Sequence, residues 1–320
     1  MRICVLQPDV TRIGGSISTT LQFADCFKEL GHDVKVHTTF KNRLPIKLIN
    51  NREEVLNFYN CNNLEYSDLV WDDGITNKQY DLCFTRGQLH GLTDNIPTIL
   101  WMIVGSDTKH SDNIVQYWTN SNTTKSGLHK SIQNKLKVVY PPHDYSIFRN
   151  YIKNDKEYDV VSILRGNDFN DKGIPLYAQT VKKLNCSSML ITTAPRSSDL
   201  KKIESLGIPY VLNQTREQVA EILGKSKTFF FPSYYESCPL VIYEALNAGC
   251  NIVSRNVGAV KEQLNGLGRL FNKDKWCFNI LKEELDKDVN SDPFVKRGQY
   301  FDRKNVLTLL EKQLSFINFN

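Results

Sequence analysis

The second half of the chain alternates short apolar runs with segments of helical periodicity, and this rhythm constrains the fold more than any other feature. It begins near Tyr158 and continues to Ser254. Buried strands that alternate with helices at this spacing are typical of a doubly wound parallel sheet. The predicted strands are 159–164, 189–193, 210–212, 228–231 and 251–254, and the predicted helices are 172–184, 200–206, 216–223 and 240–247.

The first residues carry a similar signature. An apolar run at 2–7 is followed by the turn Gly14-Gly15, a segment of helical spacing that ends at Gly31, and an extended run at 34–37. This strand–helix–strand opening implies parallel strands, because parallel neighbours need a crossover connection. Further buried runs lie at 80–85, 98–104, 115–119 and 137–140, whereas 55–80 shows no clean periodicity.

Together the two series predict an α/β protein of two Rossmann-like domains with a cleft between them. The polar stretch 144–156 separates the series, so we assign residues 1–150 to an N-terminal domain and 151–302 to a C-terminal domain. The final helical run, about 303–320, is predicted to pack back on the N-terminal domain. A chain of 320 residues is long enough for two such cores.

Charge and cysteine spacing argue against several functional classes. The net charge of +5 is mild and forms no concentrated basic stripe, which argues against nucleic-acid binding. The eight cysteines form no Cys-x-x-Cys pair and no zinc-spaced cluster, so free thiols in a reducing, cytoplasmic compartment are expected. No signal peptide is recognisable, and the longest apolar stretch, 97–105, is far shorter than the ~20 residues that span a bilayer.

A basic stretch in the first half leaves two interpretations open. It comprises Lys125, Lys130, Lys135 and Lys137. It is either a solvated helix face or a docking surface for an anionic lipid or acceptor, and the second interpretation makes the protein peripheral at a membrane.

The most informative segment is 229–249, which reads FFFPSYYESCPLVIYEALNAG. A buried strand ends at Pro232, Ser237 suits a helix N-cap, and Pro239 suits the first helical turn. Ligands bind α/β sheets where a parallel strand ends and a helix begins. Backbone N–H groups at the start of this helix, residues 238–240, therefore predict an anion site suited to a diphosphate.

Two carboxylates flank this predicted anion site. Glu244 follows Cys238 by about six residues, or roughly 9 Å at ~1.5 Å per residue, which is about the distance from a diphosphate to its ribose. A carboxylate there accepts hydrogen bonds from both ribose hydroxyls. Glu236 precedes the helix and is placed to accept from two hydroxyls of a hexose. The alternative is that both are solvated acids.

The spacing of Glu236 and Glu244 resembles the Glu-x7-Glu signature of glycosyltransferase family 4, whose members are retaining enzymes with the GT-B fold. Other similar segments are 14–15, 23–24, 30–34, 120–122, 142–148, 232–233, 239–240, 248–249 and 256–262. The resemblance covers most of the chain and is weakest in 41–95. It implies that the N-terminal domain lies on the acceptor side and that the C-terminal domain binds the donor.

The resemblance also implies individual site residues. In the family, an Arg and a Lys from one strand–loop–helix bind the donor diphosphate; here they are Arg165 and Lys172, separated by a longer interval. Catalytic roles are expected for Glu236, Lys172 and Arg165. The donor-binding set is Gly14, Gly15, Arg165, Lys172, Glu236, Ser237, Cys238, Pro239, Leu240 and Glu244. Alternatively, Arg165 and Lys172 are surface cations, and Gly14-Gly15 is only a tight turn.

One residue common in the family is absent here. A His usually follows the strand that corresponds to 98–104, but residues 102–107 read MIVGSD. Asp107 is the candidate for a sugar or acceptor contact in this region, unless it is a loop acid or helix cap. Cys238 is not expected to be a nucleophile, since no His or Asn partner can be assigned to it.

The expected function is transfer of a hexose from a nucleoside diphosphate sugar to a hydroxyl of a glycan, a lipid or another acceptor, with retention. No Asp-x-Asp motif is recognisable in the predicted donor segment 229–249, so no metal or other cofactor is expected, and Lys172, Arg165 and the helix dipole are expected to stabilise the departing diphosphate. Two alternatives stay open: a sugar-nucleotide epimerase with the same fold, and a non-catalytic module that binds a sugar or a partner.

Overall fold

The computed structural model describes residues 1–7, 14–38, 52–70, 79–86, 96–103, 112–193 and 196–317. The chain forms two compact units: unit 1 is Met1–His143 together with Arg303–Asn320, and unit 2 is Asp144–Asp302. The boundary falls between His143 and Asp144, whereas the sequence predicted it after residue 150.

Unit 1 is built on a seven-stranded sheet in the order β3-β2-β1-β4-β5-β6-β7, and its paired strands are parallel. Its strands are β1 (Arg2–Leu6), β2 (Asp33–His37), β3 (Leu69–Val70), β4 (Leu82–Thr85), β5 (Thr98–Met102), β6 (Ile114–Thr119) and β7 (Leu136–Val138). Its first helices are α1 (Gly15–Glu29), α2 (Arg52–Phe58), α3 (Asn122–Gly127) and α4 (Lys130–Gln133).

Aromatic side chains join α1 to the sheet of unit 1. Phe23 and Phe27 on α1 meet Phe84 on β4, with ring centroids 4.9 Å and 5.6 Å apart, and Trp118 on β6 lies 6.0 Å from Phe23. All of these side chains are fully buried. Burying large aromatic rings is strongly favourable, so this cluster fixes α1 against the strands.

Unit 2 has a six-stranded parallel sheet in the order β10-β9-β8-β11-β12-β13. Its strands are β8 (Tyr158–Arg165), β9 (Ser188–Thr193), β10 (Tyr210–Leu212), β11 (Ser226–Phe231), β12 (Asn251–Arg255) and β13 (Arg269–Phe271). Its helices are α5 (Ser146–Arg149), α6 (Ile174–Leu184), α7 (Ser197–Ser205), α8 (Arg216–Gly224), α9 (Leu240–Asn247), α10 (Val260–Leu264), α11 (Asp274–Leu285) and α12 (Ser291–Gln299).

The strand order of unit 2 reverses between β8 and β11, which are neighbours although they are distant in sequence. In open α/β sheets ligands bind at such a switch point, beyond the carboxyl ends of the strands. The interior of β11 is held by aromatic packing, since the buried ring of Phe230 lies 6.2 Å from Tyr177 and 5.9 Å from Phe271. The fold therefore points to the residues that follow β8 and β11.

The chain returns to unit 1 through the last helix, α13 (Arg303–Ser315). Val306, Leu310 and Leu314 recur on one face of this helix and are buried in the core of unit 1. At its start, Arg303 donates to Asp25 at 2.7 Å and to Glu29 at 2.7 Å, both on α1. Apolar packing and a partly buried ion-pair network thus anchor α13 in this unit.

Candidate active site

The loop 232–239 lies at the carboxyl end of β11 and leads into α9. Its most prominent feature is an ion pair between Glu236 and Lys172, whose Nζ lies 2.8 Å from Oε1 of the carboxylate. Ser233 donates to the same oxygen at 2.9 Å, and Lys172 also donates to the carbonyl oxygen of Tyr235 at 3.2 Å. A cation and a carboxylate predicted from separate motifs therefore meet at the switch point.

Lys172 reaches Glu236 from a turn before α6, and not from within the helix. The sequence predicted a helix from residue 172, but α6 begins at Ile174 and its N-cap is Gly173, with φ of +70°. A Cβ on Gly173 would lie 2.5 Å from the carbonyl oxygen of Pro232. Glycine is needed at this position both for the left-handed backbone and for the close approach of the loop.

Arg165 is the last residue of β8, so it lies at the same edge of the sheet as the loop. Its ion pair, however, is with Asp168, at 3.3 Å, and both side chains are well exposed. Asp168 belongs to the one-turn 3-10 helix Gly166–Asp168, which occupies the lengthened interval before Lys172. The structure thus pairs Lys172, and not Arg165, with Glu236.

The start of α9 differs from the sequence prediction in one respect. Ser237 was predicted as the N-cap, but the N-cap residue is Pro239, in an extended conformation, and it provides no side-chain cap. The carbonyl oxygen of Ser237 instead accepts from the backbone N–H of Ala259 at 2.8 Å. The first turn of α9, from Leu240, carries no acidic side chain, so its N-terminus suits an anion.

Cys238 is a half-buried free thiol. Its Sγ lies 3.1 Å from the hydroxyl of Tyr243 on α9. Burial raises the pKa of Cys238 to about 12, although the hydrogen bond with Tyr243 opposes the shift. A raised pKa favours the neutral thiol, which is the less nucleophilic form.

Glu244 is a partly buried residue of α9, and burial raises the pKa of its carboxyl group. Because α9 begins at Leu240, Glu244 lies only four residues into the helix, about 6 Å at ~1.5 Å per residue. The distance of roughly 9 Å inferred from the sequence assumed a helix start at Cys238, so it was too long.

Arg216 is a functional candidate that the sequence did not reveal. It is the first residue of α8, and its positive charge lowers the pKa of Glu244, against the larger effect of burial. The guanidinium lies 5.6 Å from the ring centroid of Tyr145 and 5.3 Å from that of Phe148. The available signal was its place directly after β10, where the carboxyl end of a parallel strand meets a helix.

The remaining predicted residues lie in the first half of the chain. Gly14 is the N-cap of α1 in an extended conformation, and Gly15 is the first residue of the helix. Thr19 donates to the carbonyl oxygen of Gly15 at 2.7 Å and lies 3.1 Å from Nε2 of the buried His143. Asp107 lies outside the described residues.

The described residues contain neither a cluster of metal ligands nor a helix that could span a membrane. No group of at least three His, Cys, Asp or Glu side chains is placed to hold a metal ion. Among the helices described, none combines the length and the apolar character needed to cross a membrane.

The two parallel-sheet α/β units define a GT-B fold, which glycosyltransferases of known structure share. Sucrose-phosphate synthase from Thermosynechococcus elongatus gives a TM-score of 0.73 at 14% identity and covers 98% of each chain. The Anabaena protein HepE, in complex with UDP and glucose, gives 0.70 at 14% identity, covering 99% of this chain and 100% of its own. A glycosyltransferase from Rickettsia africae gives 0.67 at 13% identity, covering 98% and 97%.

The family comparison identifies the same part of unit 2 as the site geometry does. Residues 200–271, which contain Arg216, Glu236 and Glu244, match the family described as "Glycosyl transferases group 1". No curated protein matches the chain. The structural similarities, at such low identities, establish the fold alone.

Proposed function

We propose that this protein is a retaining glycosyltransferase that moves a hexose from a nucleoside diphosphate sugar to a hydroxyl of an acceptor. One observation carries the proposal: Lys172 and Ser233 bind one oxygen of Glu236 on the loop that leads into α9, a helix whose N-cap residue, Pro239, provides no side-chain cap. A cation, a carboxylate and helix amides are the groups that a sugar linked to a diphosphate requires. Glu236 also lies within the segment that matches the group 1 glycosyltransferases.

Glu236 is assigned to the transferred sugar. Within the described residues its hydrogen bonds go to Oε1, which leaves Oε2 for the hydroxyls of a hexose. A carboxylate only accepts hydrogen bonds, so it is suited to a vicinal diol. The contact strengthens as the anomeric carbon gains positive charge, and therefore contributes more to the transition state than to ground-state binding.

Lys172 and the N-terminus of α9 are assigned to the diphosphate. The ammonium group of Lys172 already donates to Glu236 and to the carbonyl oxygen of Tyr235. It has a further N–H for a phosphate oxygen, so it can bind the diphosphate without releasing Glu236. Arg165 is assigned as a second cation, which requires its exposed side chain to leave Asp168. Exposed pairs of this kind are weak, so exchange costs little.

Glu244 is assigned to the ribose, with Arg216 nearby. The opposite charge of Arg216 favours the ionised carboxylate, which is the better acceptor for hydroxyl groups. HepE has also been solved in complex with UDP-glucose. Uridine diphosphate sugars are therefore the donors to test first.

Retention follows from the proposed chemistry of the leaving group. The bond between the anomeric carbon and the phosphate oxygen breaks while the acceptor oxygen forms its bond on the same face. The proton of the acceptor hydroxyl passes to the departing phosphate, so no protein base is required. Lys172, Arg165 and the dipole of α9 stabilise the charge on the diphosphate without a metal ion. A glycan or a lipid supplies the acceptor hydroxyl.

The test is incubation of the full-length protein with labelled UDP-glucose and other nucleoside diphosphate sugars. We expect transfer to an added glycan or lipid, or slow release of UDP by hydrolysis, and we expect Glu236→Gln to reduce both. Nuclear magnetic resonance of the product then assigns the anomer, and an inverted product contradicts retention. Formation of an epimer indicates an isomerase, and binding without turnover indicates a non-catalytic module.

A further inference from the structure

Arg255 is a buried cation that the proposed chemistry does not use. It is the last residue of β12, and only 8% of its surface is exposed. Its Nε donates to the carbonyl oxygen of Pro232 at 3.1 Å, at the start of the loop that carries Glu236. A buried guanidinium is costly unless its charge and its donors are matched, so the groups around it indicate what it holds in place.

Asp274 and Tyr234 complete the surroundings of Arg255. Its Nη2 donates to Oδ1 of Asp274 at 2.5 Å, and its guanidinium carbon lies 4.0 Å from the ring centroid of Tyr234. The hydroxyl of Tyr234 donates to the other oxygen of Asp274 at 2.7 Å. The three side chains form a closed triangle that we call the Arg255 triad. Asp274 and Tyr234 are exposed, whereas the guanidinium between them is buried, so the cation–π contact and the charge-assisted hydrogen bond cover the buried cation.

The Arg255 triad connects β12 and α11 to the loop 232–239. Tyr234 lies two residues before Glu236, and its backbone N–H donates to the carbonyl oxygen of Asp171, the neighbour of Lys172, at 2.8 Å. Arg255 therefore fixes Pro232 and Tyr234. Asp171 and Lys172, which precede α6, hold the loop through the backbone of Tyr234 and the carboxylate of Glu236. After Glu236 the loop is held by hydrogen bonds from Ala259 to Ser237 and from Gln263 to Pro239, so the Arg255 triad fixes the residues that precede the carboxylate.

We propose that Arg255 is a positioning residue, which acts through Pro232 and Tyr234 to keep Glu236 at its place beside Lys172. The expected effect of Arg255 on turnover rests on the proposed function, whereas its expected effect on the loop 232–239 does not. Arg255 contacts neither donor nor acceptor in this assignment. Loss of the triad moves the carboxylate without removing Lys172 or Glu244 from the diphosphate and the ribose.

The first test is hydrogen exchange of the full chain, which needs no activity. Arg255→Gln should accelerate exchange of backbone amides in 232–239 by about tenfold or more, because the loop loses its anchors. Arg269→Gln is the matched control, since Arg269 lies on the adjacent strand β13 and pairs with the exposed Glu283 at 3.0 Å. Unchanged exchange in the loop of Arg255→Gln overturns the inference, whatever the protein catalyses.

The second test is kinetic, with UDP and UDP-glucose as probes. Misplacing a contacting group by about 1 Å costs up to ~100-fold in rate, so Arg255→Gln should lower kcat by about 10- to 100-fold while the Kd for UDP changes less than about twofold. Tyr234→Phe removes one hydroxyl from a partly exposed ring and should lower kcat by about three- to tenfold with folding intact.

A double-mutant cycle separates positioning from a general structural role. If Arg255 acts through Glu236, Arg255→Gln should have little further effect on kcat in a Glu236→Gln background. Additive losses, or a parallel loss of UDP affinity, overturn the positioning role. If the wild-type protein turns over no nucleoside diphosphate sugar, the proposed function fails, and hydrogen exchange alone then decides the inference.

Discussion

The Nζ atom of Lys172 lies 2.8 Å from Oε1 of Glu236, and the two side chains are only 20% and 15% exposed. The cation proposed for the diphosphate and the carboxylate proposed for the sugar thus neutralise each other. Removing one partner of such a pair leaves an uncompensated charge in a partly dry site. The effects of substitutions at Lys172 and Glu236 on turnover are therefore expected to be coupled.

The two glutamates are expected to respond differently to substitution. Free UDP has no sugar, so Glu236→Gln should bind UDP almost normally and yet transfer poorly. Glu244→Gln should weaken the binding of UDP by about 1–3 kcal/mol, since it loses charge-assisted hydrogen bonds to the ribose. Calorimetry with UDP beside steady-state kinetics for both variants measures the difference. Equal losses of UDP affinity would show that the assigned order of sugar, diphosphate and ribose is wrong.

Lys172→Gln is expected to weaken UDP binding by about 1.5–3 kcal/mol, because a charged donor to the diphosphate is lost. The same change should also lower turnover, since Glu236 loses its cation. Lys182→Gln is a suitable control, because Lys182 is an exposed lysine on α6, the helix that follows Lys172. Equal UDP affinities of the two variants in titration calorimetry would show that Lys172 does not bind the diphosphate.

Glu244→Gln is expected to stabilise the unliganded protein at neutral pH. Burial raises the pKa of Glu244 above its usual 4.5. Because the folded protein holds this proton more tightly than the unfolded chain, the neutral carboxyl contributes its full stabilisation below pH 4.5. This contribution to the free energy of unfolding is lost as the pH rises through the folded-state pKa. The amide does not ionise, so its gain in Tm should grow from pH 4.5 upward and then become constant.

Thermal unfolding of Glu244→Gln from pH 4 to 8 measures this gain. Glu221→Gln provides the control, since Glu221 is an exposed residue whose hydrogen bond and ion pair with Lys225 lower its pKa. It should show no such gain. If the Tm difference between Glu244→Gln and the wild type does not depend on pH, the pKa of Glu244 is not raised.

Gly173→Ala is expected to destabilise unit 2 and impair the loop. Both its φ of +70° and the approach of Pro232, whose carbonyl oxygen would lie 2.5 Å from the added Cβ, oppose a side chain. Gly31 has φ of +82° with open space around its Cβ position, so Gly31→Ala reports the backbone cost alone, about 1–2 kcal/mol. Denaturant unfolding should show a larger loss for Gly173→Ala.

Activity is expected to survive a chelator. The proposed charge compensation comes from Lys172, Arg165 and the N-terminus of α9, all of which belong to the chain. Turnover of UDP-glucose should therefore be similar with and without EDTA. Loss of activity with EDTA that magnesium or manganese restores would show that a metal ion supplies this charge.

The parts of the fold that the sequence predicted best are those determined by local patterns. The helix 240–247 was predicted with the bounds that the structure has, because a buried strand, a proline and a glycine delimit it. The cap at Ser237 was wrong because Pro239, with its fixed φ, is itself the last extended residue before the helix. The two-residue strand β3 is too short for any periodicity to show.

The parts of the site that the sequence did not predict depend on contacts between distant segments. Arg255 and Asp274 are nineteen residues apart, and each looks like an ordinary surface charge in isolation. Arg216 lies near Glu244 because α8 and α9 both pack against α5, which the sequence does not reveal. Lys172 and Glu236 could each be singled out from the sequence, since each stands in a recognisable motif that follows β8 or β11, but their ion pair was not predicted.

The return of α13 to unit 1 has a consequence for how the chain folds during synthesis. Unit 2 is continuous, so all of its strands and helices have left the ribosome once residue 302 has emerged. The core of unit 1 still lacks Val306, Leu310 and Leu314, and its long-range contacts cannot close until the last turns are made. The N-terminal half is therefore translated first but completes its core last, the reverse of the usual order in which domains fold during translation.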